Sequence, residues 1–181
     1  MTRKGPFGLW MGMTIDDLKV AQADPEEISP GKFRIENVPK PHSLFDSYAL
    51  QVAPIGGLSW IKAIGKAVST SAFGSELQVA FDNLESRLAQ IYGVFDRTDI
   101  LLTGSIWDEP RDWMQAILAQ ERILMTQWSA ERGSKMSDSL SSVALICSAV
   151  DTESGYIAIE YTFENEAEAE TEINSLEDEA L

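Results

Sequence analysis

The chain has 181 residues, 44% of them hydrophobic, which suits one domain with a core of its own. Its single cysteine, Cys147, excludes an internal disulfide framework and a zinc site built on several thiolates. The net charge is −15, and residues 151–181 hold 11 acidic residues with no lysine or arginine, so the acidic end speaks against direct binding to a phosphate backbone.

Arg3 and Lys4 precede an apolar stretch, residues 7–13, that Gly8 and Gly12 interrupt and Asp16 and Asp17 follow. That stretch is too short and too polar for export or membrane spanning, so the expected location is the cytoplasm. Thr14 with Asp17 forms a capping-box pattern, and Ile15 and Leu18 give the short helix behind it an apolar face. Pro25 stops that helix at the latest, and Pro30, Pro39 and Pro41 mark the next connections.

Three extended runs follow. Phe33 and Ile35 alternate with Arg34 and Glu36, and Tyr48, Leu50 and Val52 alternate with Ala49 and Gln51. The Pro54-Ile55-Gly56-Gly57 turn then leads into a return strand over residues 58–64. From Ser75 onward, Leu77, Phe81, Leu84, Leu88 and Ile91 step by four, three, four and three, which predicts a long helix. Ser75 with Gln78 is its expected capping box and Gly93 its C-cap.

A second long helix is predicted over residues 108–133. Asp108 is its cap, Pro110 lies in the first turn, and Trp113, Ile117, Leu124 and Trp128 share one side. Between the helices, residues 99–106 are ambiguous, and Ile100-Leu101-Leu102 is compatible with a short strand. Val143, Leu145 and Cys147 then pair with Ile157, Ile159, Tyr161 and Phe163 as a last hairpin. The expected fold is α+β, an antiparallel sheet of two hairpins packed against two long helices in one domain, residues 1–163. In residues 164–181, Glu164, Glu166, Glu168, Glu170 and Glu172 alternate with small or polar residues, compatible with a continued edge strand, a helix or a disordered tail, and their mutual repulsion favours the disordered acidic tail.

Phe7-Gly8-Leu9 followed by Gly12-Met13-Thr14 resembles the Gly-Met-Thr opening of many small bacterial α+β proteins. The small lipoproteins of outer-membrane assembly are among them, and there the motif leads into a short helix. The resemblance covers the first tenth of the chain. It implies a binding or scaffold module, with an envelope or assembly scaffold as one form, and transfers no site residue.

The motifs that carry chemistry each meet a simpler reading. Gly8 and Gly12 lack the spacing, the preceding strand and the lysine of a phosphate cradle. Ser59 and Lys62 match S-x-x-K, but on a strand they point to opposite faces. His42 lies in a proline-bracketed loop and Cys147 in a strand of core residues, which suits packing better than a Cys–His dyad. Asp16-Asp17 and Asp108-Glu109 sit where helix N-termini favour negative charge. Asp96, Asp99 and Asp108 remain the candidates for a carboxylate cleft.

No metal or cofactor is expected, and the predicted class is a non-enzymatic protein-binding module. Its sharpest form is a neutraliser of the immunity-protein, antitoxin or phage-inhibitor type, set against a toxin or nuclease with a basic surface. The expected contact residues are Trp107, Asp108 and Glu109, with Trp107 as aromatic anchor, and Glu164, Glu166, Glu168, Glu170 and Glu172.

Overall fold

A computed structural model describes residues 3–181. In chain order these form α1 (Ile15–Val20), β1 (Glu26–Ser29), β2 (Lys32–Ile35), β3 (Phe45–Ala53), β4 (Gly57–Gly65) and β5 (Val68–Ser69). Then come α2 (Ser75–Tyr92), β6 (Asp96–Leu101), α3 (Trp113–Leu118), β7 (Arg122–Ser129), β8 (Leu140–Ala149), β9 (Ser154–Phe163) and α4 (Glu166–Asp178). The class is α+β. Among the described residues no helix is long and apolar enough to cross a membrane.

Two compact units divide these elements. The first takes residues up to Ile64 with Met136–Ser142 and Glu160–Leu181, and the second takes Gly65–Lys135 and Val143–Ile159. Strands β8 and β9 therefore contribute residues to both.

In the first unit the strands run in the order β1-β2-β3-β4. Phe33 lies opposite Leu50 and Ile35 opposite Tyr48, so the alternation in the two runs falls on one register. The capping box forms as the sequence predicts: the Asp17 amide donates to Thr14 Oγ1 at 3.1 Å and the Thr14 amide donates to Asp17 Oδ2 at 2.9 Å. Leu18 is thereby turned into the core. The glycine-rich opening has a packing role. Gly12 N donates to the Leu58 carbonyl at 2.9 Å and Leu58 N to the Met13 carbonyl at 2.8 Å. Gly57, at φ +73°, lies so near that a Cβ there would fall 2.3 Å from the Gly12 oxygen.

The second unit orders its strands β9-β8-β7-β6, with β5 against β9. Its one long helix is α2, where Leu77, Phe81, Leu84 and Leu88 are buried as the stepping predicts, while Ile91, its last step, is 60% exposed and Tyr92 is buried instead. Gly93 ends it as expected, but Gly74 is the residue before the first turn and Ser75 lies inside the helix. Between α2 and the sheet lies a polar knot. Glu85, buried, receives Arg97 Nη1 at 3.0 Å and the Thr126 hydroxyl, while Arg97 also reaches Asp82 at 2.8 Å.

The predicted pair of long helices and two hairpins is corrected here. Residues 108–133 hold a single turn at Pro110–Asp112, then α3, then strand β7. Gln120 takes a left-handed φ of 59° just past α3, and the chain leaves the helix there. Beyond it Leu124, Thr126 and Trp128 are buried on alternate positions, a period of two. The helical stripe drawn through Trp113, Ile117, Leu124 and Trp128 joined two different elements. Residues 96–101 form β6, paired from Asp96↔Gln127 to Leu101↔Arg122. The expected disordered tail is also replaced: residues 166–178 form α4, with Ala169 buried.

Candidate functional site

The acidic end is an ordered surface. Within "EAEAETEINSL", Ala169, Ile173 and Leu176 recur at spacings of four and three, which puts them on one side of a helix. That side packs on the rest of the first unit. Glu172 reaches back to the β3–β4 turn, where its two carboxylate oxygens accept the amides of Ile55 and Gly56, both at 2.8 Å. Asn165, just before α4, donates to the carbonyls of Gly56 at 3.3 Å and Leu58 at 3.2 Å. Helix and turn are thus joined at two points by hydrogen bonds that use a side chain on one partner and backbone on the other.

The remaining carboxylates are left to solvent. Glu164, Glu168 and Glu170 are exposed, and Glu166 is half-exposed. Glu166 and Glu168 sit in the first turn, where unpaired amides favour negative charge. Glu177, Asp178 and Glu179 continue the acidity at the opposite end, where the helix dipole opposes it. No salt bridge joins any of these groups to a lysine or arginine among the described residues. The first unit's Lys62 pairs with Glu160 at 3.6 Å, and Lys32 donates to Gln51 Oε1 at 2.6 Å beside the Trp60 ring.

Trp107, Asp108 and Glu109 belong to the second unit. Trp107 is half-buried, and its amide donates to Ser105 Oγ at 3.2 Å. Asp108 is exposed. Glu109, and not Asp108, starts the turn ahead of α3: its carboxylate meets Arg111 Nε at 2.7 Å, and its amide donates to Asp112 Oδ2 at 3.4 Å. Of the expected contact residues, Glu109 and Glu172 therefore have intramolecular partners, while Glu164, Glu168 and Glu170 stay exposed, the last two on opposite flanks of α4.

The residues weighed for catalysis have other surroundings. Burial pushes the Cys147 thiol up to about 12, with the negative charge of Asp99 adding to it, so the thiolate is scarce at neutral pH. Ser59 is fully buried; its hydroxyl accepts Gln51 Nε2 at 3.1 Å and donates to the Gln51 carbonyl at 3.4 Å. His42 Nδ1 accepts the Leu44 amide at 3.2 Å. Asp96 pairs with Arg132, and Asp99 with Arg122 at 3.1 Å. Among the described residues no three His, Cys, Asp or Glu side chains are grouped to hold one metal ion.

No protein-family model, curated protein or solved structure matches the chain.

Sequence reasoning missed the roles of Asn165 and Glu172, and preferred disorder over the helix that carries the glutamates. The signal was present in the spacing of Ala169, Ile173 and Leu176, masked by the stronger alternation of the acids.

Proposed function

We propose that the protein is a non-enzymatic binding module that neutralises a protein partner with a basic surface, in the manner of an immunity protein or inhibitor. The observation that carries this reading is the set of unpaired carboxylates on α4 and at the residue leading into it. Glu164, Glu168 and Glu170 are exposed without a cation partner among the described residues, the last two on opposite flanks of a helix whose apolar side packs on the rest of the first unit. Like charges held in place on both flanks of an ordered helix steer a cationic partner at long range and limit its orientation on arrival. An ordered helix does this with less entropy lost on binding than a tail that must first be ordered.

The test replaces Glu164, Glu168 and Glu170 with glutamine and leaves Glu172 in place, so that α4 stays docked. Wild-type chain immobilised in native lysate is expected to retain a partner that the triple variant loses and that salt releases. An identical catch on both proteins, or retention indifferent to salt, overturns the reading.

A further inference from the structure

A cavity of about 340 Å³ lies in the first unit, where α4 crosses the end of the β1–β2 hairpin. Its floor is apolar: Phe33, Val52, Ile173 and Leu176 contribute, with Ile15 of α1 at one side. Pro30, Gly31 and Pro54 also line it, as do two carboxylates, Glu27 and Glu177, and no lysine or arginine does. Both are exposed, and neither has a salt-bridge partner among the described residues.

The hairpin turn is built so that α4 can come this close. Gly31 holds φ +72°, and a Cβ on it would fall 2.4 Å from Ile173 Cδ1. Leu176 next to the cavity is 46% exposed, a large apolar side chain left beside a concave apolar surface. The volume falls in the class of small-ligand sites, ample for one aromatic side chain, and Phe33 offers a ring for edge-to-face contact.

We infer that this cavity receives an aromatic side chain flanked by lysine or arginine on a basic segment of the partner. The inference rests on the proposed basic partner and adds the point at which it is gripped. The charge at the rim selects the occupant: an apolar body alone leaves Glu27 and Glu177 without counter-ions, an acidic segment is repelled, and a basic segment meets both. Buried apolar anchors carry most of the affinity in such contacts, while rim charges set approach and register.

The test titrates the full chain, observed by amide NMR, with three capped pentapeptides: Lys-Arg-Phe-Lys-Arg, its serine twin Lys-Arg-Ser-Lys-Arg, and the acidic Glu-Glu-Phe-Glu-Glu. The first is expected to shift the amides of Gly31, Val52 and Ile173. The serine twin should bind at least about tenfold more weakly, the loss expected on removing one buried aromatic anchor. The acidic peptide should leave these amides unmoved. The surface variant E27Q/E177Q, checked for fold by circular dichroism, should weaken the first peptide several-fold and flatten its salt dependence. Equal binding of the phenylalanine and serine peptides, shifts confined to Glu164, Glu168 and Glu170, or no shift at all overturns the cavity's role. In each of those cases the lysate capture still judges the basic-partner reading by itself. Capture indifferent to the glutamate triple variant, with the cavity still binding its peptide, overturns that reading alone.

Discussion

Glu85 is the residue whose removal should cost the second unit most. Its side chain is 12% exposed and holds two partners from neighbouring strands, Arg97 of β6 and Thr126 of β7. Truncation leaves the Arg97 charge short of a partner and a hydroxyl without its acceptor in a poorly hydrated place. Glu85→Ala should therefore destabilise by about 3 kcal/mol, read from urea unfolding with an unchanged m-value. A loss below about 1 kcal/mol would mean that water replaces the carboxylate there. Cys147 gives a second residue-scale expectation. Its folded value of about 12 stands above the ordinary 9.0 because burial disfavours the thiolate. The stability it contributes is whole below pH 9 and is lost as pH climbs from about 9 toward about 12, since the unfolded chain releases the proton first. A disulfide reagent at pH 8 should label the native thiol far more slowly than the urea-unfolded one. Cys147→Ala should flatten the alkaline loss of stability.

At the scale of elements, α4 depends on its clasp to the β3–β4 turn. Glu172→Ala removes two charge-assisted hydrogen bonds, and because Ile55 N is exposed, water recovers part of them. The expected cost is about 1 kcal/mol, with hydrogen exchange of the α4 amides accelerating while α2 is unchanged. Equal acceleration in both helices would show that the clasp supports more than α4. Elements whose apolar period agreed with their surroundings were legible from the chain alone: α1 through Thr14 and Asp17, β3 through Tyr48, Leu50 and Val52, and α2 through its stepping. Two kinds of element were not. β7 follows α3 so closely that a period-two run looked like a continued helical stripe, with the break at Gln120 carrying no glycine or proline to announce it. β1 is exposed at all four positions, so its place comes from pairing with β2 and not from burial. The candidate site followed the same division. The glutamates themselves could be picked out, but the separation of Glu172 from the outward acids depends on a partner more than a hundred residues away.

Over the whole molecule, a net charge of −15 means that compaction works against self-repulsion, most of all where acids crowd on α4. Like charges four apart, Glu166 with Glu170 and Glu168 with Glu172, lower helix stability while they are ionised. Raising sodium chloride from about 20 mM to about 0.5 M should therefore raise Tm and slow exchange in α4 more than in α2, as the Debye length contracts. Acid acts through different groups. The amide of Thr14 holds Asp17 below its ordinary 3.8, the Thr70 hydroxyl holds Glu76 below 4.5, and the Glu153 amide holds Asp151 below 3.8. Their contribution is present above those ordinary values and is lost as pH falls through the lowered ones, so Tm should decline on acidification below about pH 4.5. A Tm that falls with added salt at neutral pH would contradict the repulsion account.

The clasp has a consequence during synthesis. The turn that Glu172 secures lies 116 to 117 residues upstream, so its amides leave the ribosome long before the carboxylate that will receive them. The early hairpin must wait through the emergence of the whole second unit, its two amides held by water, and only the emergence of α4 locks it. A nonsense codon just ahead of Glu172 would release a chain with an unlatched turn and a bare apolar hollow, a ready target for chaperones and proteases.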